Sequence, residues 1–267
     1  MIIRPIRRRL RAILERRLGA PSVPAALAHL ERQGFRPAMV FDVGAYRGDF
    51  ARDCLARWPD ASIVCFEPQR RMAGALATVA AATAGRMHVF PVLVGAAERD
   101  HVALHEAGTA SSVLVETAGP QHPATPYPMT TIDRTVAHHF AGRPPDLLKL
   151  DVQGYELEAL KGAEGSLPGI GAIVTEINLL DLHEGVPLLA EVVAWLAARG
   201  FVAYDLGGLM RRPLDGALWQ IDMIFVPVDS PLRRDKRWGV QAPPRSSPAM
   251  PAERTRGGVP ARHPPPG

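Results

Sequence analysis

Met39-Val40-Phe41-Asp42-Val43-Gly44-Ala45-Tyr46-Arg47-Gly48-Asp49-Phe50 decides how the rest of the chain is read. An apolar run meets an acid, a glycine, three more residues and a second glycine, and then a helix-like stretch begins. The pattern reads as strand, tight turn, helix. Gly44 lets the backbone turn sharply and leaves room for a ligand where a Cβ would stand. On that reading Gly44→Val removes ligand binding and leaves the fold. Gly48 opens the helix, whose first amides point above the turn. The next strand-like run, Ala61 to Phe66, ends in Glu67-Pro68. Glu67 stands 23 residues after Gly44. In a βαβ unit that spacing brings an acid to the tip of the second strand, where it can accept both hydroxyls of a ribose.

Two adenosine-bearing ligands suit such a unit, a dinucleotide and S-adenosylmethionine. Dinucleotide sites favour G-x-G-x-x-G, because a pyrophosphate sits against bare backbone. Here the pattern is Asp42-x-Gly44-x-x-x-Gly48, with bulky Tyr46 in the place of the middle glycine. That argues against a pyrophosphate. The acid Asp42 at the strand tip suits the ammonium end of a methionine moiety better than a phosphate.

The chain has 267 residues, 47% of them hydrophobic, enough for one large α/β domain. Its net charge of +4 is unevenly spread. Residues 1–36 carry nine Arg against two acids, and residues 229–267 carry eight Lys or Arg against three acids. Residues 37–228 therefore hold 14 basic and 22 acidic side chains, a net charge of −8. The basic footprint that nucleic acid requires is missing from this middle portion. Cys54 and Cys65 lack metal-ligand spacing and sit in apolar stretches, as reduced buried thiols do. No run is long enough to span a membrane and the N-terminus is a poor signal peptide, so a cytoplasmic location is expected.

Three segments follow: a basic helical extension over 1–36, a ligand-binding domain over 37–228, and a Pro/Arg-rich tail over 229–267. In the first, Ile6, Leu10, Ile13, Leu14 and Leu18 share a helical face opposite arginines. This face can cap the domain or make weak contact with a membrane surface. The tail's composition predicts disorder. Between them, strands are expected at 39–43, 61–66, 87–94, 102–105, 147–151, 173–176, 201–205 and 219–226, with helices at about 23–33, 49–57, 70–84, 155–161 and 186–199. Residues 115–128 read as a long loop of the kind that serves as a lid. Alternating strands and helices predict a mostly parallel sheet wound on both faces, with ligands at the carboxyl ends of its strands. Asp42, Glu67, Asp151 and Glu176 all fall at such ends.

The stretch Leu148-Lys149-Leu150-Asp151-Val152-Gln153-Gly154-Tyr155-Glu156 through Glu164 resembles the central motif of the FkbM-type methyltransferases. Asp42-Val43-Gly44-Ala45, Phe66-Glu67-Pro68, the Ser111-Ser112 pair and Thr131-Ile132-Asp133 extend the resemblance over roughly residues 38–227. It implies an α/β class I methyltransferase fold, Rossmann-like, with a seven-stranded sheet. Its last strand, Trp219 to Phe225, is antiparallel and inserted beside the sixth. It implies S-adenosylmethionine as cofactor, held by Asp42, Gly44, Ala45, Tyr46, Gly48, Glu67, Pro68 and Ser112.

Methyl transfer from a sulfonium needs an oriented acceptor, dry surroundings and, for a hydroxyl, somewhere for a proton to go. Asp151 is the first candidate for base or orienting group, its alternative being a helix N-cap. Glu176 is placed to hold the acceptor, and His183 is the best-placed imidazole. Glu156 is assigned to the solvated helix face. With no adjacent pair of aspartates, no metal is expected. The leading reading is O-methylation of a sugar, glycan or polyketide-like small molecule. Against it stand methylation of an amine or a macromolecule, NAD-dependent redox chemistry, and a non-catalytic binding protein of the same fold. The oligomeric state is left open.

Overall fold

A computed structural model describes residues 19–118 and 122–239. The basic helix expected within residues 1–18 and most of the Pro/Arg-rich tail lie outside the described residues. Residues 235–267 form a unit separate from 1–234. In the described part of that small unit, Arg237 donates to Asp235. All that follows concerns residues 19–234.

The chain enters through α1 (Val23–Arg32), whose start is capped by Ser22 accepting from the amide of Ala25. Strand β1 (Met39–Val43), helix α2 (Asp49–Arg57) and strand β2 (Ser62–Phe66) form the expected βαβ unit, with β1 and β2 parallel. Helix α3 (Ala73–Ala81) leads to β3 (Met87–Phe90). The third strand is shorter than expected. Pro91 has no N–H for the ladder, and the chain leaves the main sheet there. It resumes as β4 (Leu93–Val94), which belongs with β5 (Arg99–His105) and β6 (Ala124–Thr130) to a second sheet ordered β4-β6-β5.

Strand β6 corrects the last part of the loop expected over residues 115–128, since residues 124–128 are strand. Tyr127 and Met129 alternate inward along it and are buried. Pro126 and Pro128 are tolerated because β4 pairs only with Met129 and Thr130, so most of β6 is an edge on that side. Prolines that marked this stretch as a loop in the sequence sit in an edge strand.

The chain then runs through α4 (Ile132–His139), β7 (Leu147–Leu150), α5 (Glu156–Lys161), β8 (Ala172–Asn178), α6 (Leu189–Ala197), β9 (Phe201–Arg211) and β10 (Leu218–Pro227). The last two strands are longer than expected and α6 is shorter. The main sheet has seven strands in the order β3-β2-β1-β7-β8-β10-β9, and β10 is antiparallel to both of its neighbours.

Period-two alternation divides the core. Phe41, Leu148, Leu150, Ile173 and Phe225 pack with α4, α5 and α6 on one face. Val40, Ile63, Leu147, Val174 and Ile224 pack with α1, α2 and α3 on the other. Asp42, Lys149, Glu176 and Asp222 each lie two residues from a member of the second set, so all four belong to the α1–α2–α3 face.

Candidate active site

The parallel register explains why polar groups gather at one edge of the sheet. Asp42 pairs with Lys149, Lys149 with Val174, and Glu176 with Asp222. Asp151 follows directly after β7, and its amide donates to the Val43 carbonyl at the end of β1. The carboxyl ends of β1, β2 and β7 thus open into one cavity of about 360 Å³, which Val174 in the middle of β8 also lines.

At the β1–β2 end the turn is built around Glu67. One carboxylate oxygen accepts from the amide of Tyr46 at 2.7 Å, the other from the amide of Gln69 at 2.9 Å. Burial pushes this carboxyl above its usual range, against the pull of the two amides. Each oxygen has spare lone pairs, and Glu67 lines the cavity. The Tyr46 bond holds that residue in a left-handed conformation, φ 46°, which a side chain rarely adopts. Ala45, Tyr46 and Pro68 line the cavity as expected.

Gly44 lines the cavity, and it is required for a reason beyond ligand clearance. Its φ is +76°, and a Cβ there would stand 1.9 Å from the backbone oxygen of Asp151. The glycine lets β1 and the β7 turn touch, so a branched residue breaks the fold and not only the site. Gly48, unlike Gly44, does not line the cavity. A Cβ there would meet Leu76 and Val79 of α3, so its role is packing.

Asp42 is completely buried and absent from the cavity wall. Its expected contact with a ligand's ammonium is therefore corrected. The ammonium beside it belongs to Lys149, 3.1 Å from Asp42 and 3.4 Å from Asp151. Lys149 also donates to the carbonyl of Gly44 at 2.8 Å. Burial alone would lower this ammonium's pKa, but the charges of Asp42 and Asp151 outweigh it and hold the pKa well above its ordinary value. Lys149 was missed in the sequence reading. Its signal was a lysine within a buried-type strand, in register with an equally isolated acid.

The turn after β7 is a second organised unit. Gln153, at φ 53°, donates from Nε2 to Asp151 at 3.0 Å and to Glu176 at 2.8 Å. Glu176 also accepts from Gln220 at 2.8 Å. Burial and neighbouring acids push the Glu176 carboxyl well up. Glu156 is buried, not solvated, and accepts from the amides of Val152 and Gly154. It does the capping considered for Asp151, which leaves the Asp151 carboxylate half-exposed on the cavity wall.

Three other expected site residues lie elsewhere. Glu176 faces a separate, larger cavity between α1 and β9–β10. Ser112 donates to the Gln153 carbonyl and accepts from the amide of Leu114, tying down its loop, while neighbouring Ser111 lines the cavity. His183 lines a small separate pocket with His105, Glu116 and His122, and burial lowers its pKa. Among the described residues no group of three or more His, Cys, Asp or Glu side chains is placed to hold a metal ion.

A seven-stranded sheet of this order, with its antiparallel strand between the fifth and the last and its acids at the strand tips, defines a class I methyltransferase fold. The chain belongs to the FkbM methyltransferase family: the family described as Methyltransferase FkbM domain matches residues 42–203. Among curated proteins nothing matches the chain. Among solved structures it is similar to the methyltransferase FkbM of Methylobacillus flagellatus KT. The two are 18% identical over 71% of this chain and 43% of that one, with a TM-score of 0.47. The chain thus spans less than half of that relative's length. It is also similar to the Burkholderia thailandensis 1,6-didemethyltoxoflavin-N1-methyltransferase, solved with its substrate and S-adenosylhomocysteine, at 15% identity over 78% and 77% of the two chains and a TM-score of 0.43. A third is the precorrin-6y C5,15-methyltransferase of Geobacter metallireducens GS-15, at 13% identity over 75% and 85%, with a TM-score of 0.42.

Proposed function

We propose that this chain is an S-adenosylmethionine-dependent O-methyltransferase acting on a small-molecule hydroxyl. One observation carries the reading: the cavity wall holds five carboxylates, Asp49, Asp53, Glu67, Asp151 and Asp222, against two bases, Arg47 and Lys149. Lys149 is already engaged by Asp42 and Asp151. Such a wall repels a pyrophosphate and attracts a ligand bearing a sulfonium and an ammonium. Bound there, S-adenosylmethionine supplies a methyl group: the acceptor oxygen gains it, the carbon–sulfur bond breaks with its electron pair left on sulfur, and the hydroxyl proton departs.

The chain's own residues divide the remaining work. Glu67, pre-set by two amides, accepts from ribose hydroxyls. Leu93, Leu104 and Val113 bring the second sheet against the cavity and exclude water. Asp151, fixed by Gln153 and Lys149, keeps a carboxylate facing the reacting end. The acid-rich middle of the chain and the confined cavities support a small acceptor over nucleic acid. No helix among the described residues is long and apolar enough to cross a membrane. The test is calorimetry of the full chain with S-adenosylhomocysteine and with NAD. Micromolar binding of the first and none of the second is expected, and preference for NAD overturns the reading.

A further inference from the structure

The larger cavity lies on the α1 side of β9 and β10 and measures about 1020 Å³. It shares Val23, Pro24 and Asp222 with the cavity at the strand tips. Asp222 is thus the one carboxylate that faces both spaces among the described residues. It has no hydrogen-bond or ion-pair partner among the described residues, and senses the charges of Asp151 and Lys149 and of Glu176, its register partner on β8. By contrast, one oxygen of Asp151 accepts from Gln153 and the other faces Lys149. Strand β9 passes Asp222 as Gly207-Gly208, and a Cβ on Gly208 would stand 2.5 Å from its Oδ2. The glycine pair leaves the carboxylate's flank clear of side chains. Burial and the charge of Asp151 push this carboxyl up to about 6, against the pull of Lys149. It therefore holds and releases a proton near neutrality.

The larger cavity has an apolar stretch beside the polar side chains of His29, Arg32, Arg57 and Asp205. Leu206, Leu209 and Met210 line it and remain 38%, 52% and 49% exposed. No Phe, Tyr or Trp among the described residues offers it a ring on which a sugar could lie.

The geometry points to this second cavity as the acceptor site, to Asp222 as the carboxylate that takes the acceptor's hydroxyl proton, and to an acceptor whose hydroxyl is carried on an apolar body. This rests on the donor reading above. The oxygen is freed of its proton as it bonds to the methyl carbon, and Asp222 then passes the proton to solvent.

The test uses the full chain, S-adenosylhomocysteine, and two probe acceptors: 2-naphthol, a hydroxyl on an apolar body, and methyl glucoside, which has hydroxyls and none. The wild type is expected to bind 2-naphthol in the presence of S-adenosylhomocysteine and to methylate it from radiolabelled donor. Asp222→Asn, measured with the donor saturating, should still bind 2-naphthol yet transfer at least ~100-fold more slowly. Leu209→Asp, at an exposed position, should weaken 2-naphthol binding about tenfold or more, roughly 1.4 kcal/mol, and leave S-adenosylhomocysteine affinity unchanged. No transfer to 2-naphthol, transfer to methyl glucoside alone, more than a tenth of the rate in Asp222→Asn, or unchanged naphthol affinity in Leu209→Asp each overturns the proposal. If the wild type fails to bind S-adenosylhomocysteine, the donor reading falls as well, which separates the two failures.

Discussion

The two ends of the polar edge of the main sheet hold their acids in opposite ways. At the β1–β2 end, Glu67 is fastened by the amides of Tyr46 and Gln69. At the β8–β10 end, Glu176 is held by the side chains of Gln153 and Gln220, and Asp222 is held by nothing among the described residues. Backbone donors cannot be changed by substituting the residue that bears them, so the first end is a fixed socket. Side-chain donors can be exchanged without disturbing the sheet, so the second end can be tuned. Lys149, beneath both, joins Asp42 of the first end to Asp151 of the second.

The comparison can be broken most severely at Gly44. Gly44→Val places a branched Cβ against the Asp151 carbonyl at positive φ, a combined clash and strain expected to cost more than ~4 kcal/mol. Denaturant unfolding should find little folded protein. A stable Gly44→Val would show that the two turns are not in contact.

Lys149→Met leaves Asp42 buried without its ion-pair partner. Breaking such a pair costs about 3–5 kcal/mol, read from the urea midpoint. Lys149→Met together with Asp42→Leu should recover much of that loss, and failure to do so would mean that Asp42 is not the group left unpaired.

Glu67→Ala should weaken S-adenosylhomocysteine by about 2–4 kcal/mol in calorimetry, since two charge-assisted bonds disappear and the Tyr46 turn loosens. Equal affinity would place the ribose elsewhere.

His183 offers the smallest effect. Burial lowers its pKa from 6.5, so the unfolded chain takes up a proton that the folded chain refuses. Stability from this site is full above about pH 6.5 and falls as pH drops below it toward the folded pKa. His183→Gln should flatten that acid limb and shift the midpoint by no more than about 2–4 °C, roughly 1 kcal/mol. S-adenosylhomocysteine affinity should stay the same, because His183 does not line that cavity.

Much of this site could be read from individual residues. Gly44 at a turn, Glu67 at the tip of β2 and Asp151 after β7 were placed by alternation and by a βαβ spacing, which are local properties of the chain. Asp222 was passed over, although Gln220-Ile221-Asp222-Met223 interrupts an apolar strand with an acid. In an antiparallel strand inserted late in the sheet, no spacing links such an acid to the others. The family resemblance points to Ser112 and chemistry alone to His183, and neither residue carries a signal for the direction in which its loop turns. The expected loop runs too far, into residues 124–128, because Pro126 and Pro128 look the same in an open edge strand as in a loop.

Sequence alone determined most of the order of strands and helices, though not β6 or α4, and it determined the acids at their ends and the family, because hydrophobic period and glycine position act over neighbouring residues. Tertiary structure decided which of those acids are free. Register set Lys149 against Asp42 and aligned Asp222 with Glu176, and a carboxylate's availability depends on partners that are distant in the chain and adjacent only in the folded sheet.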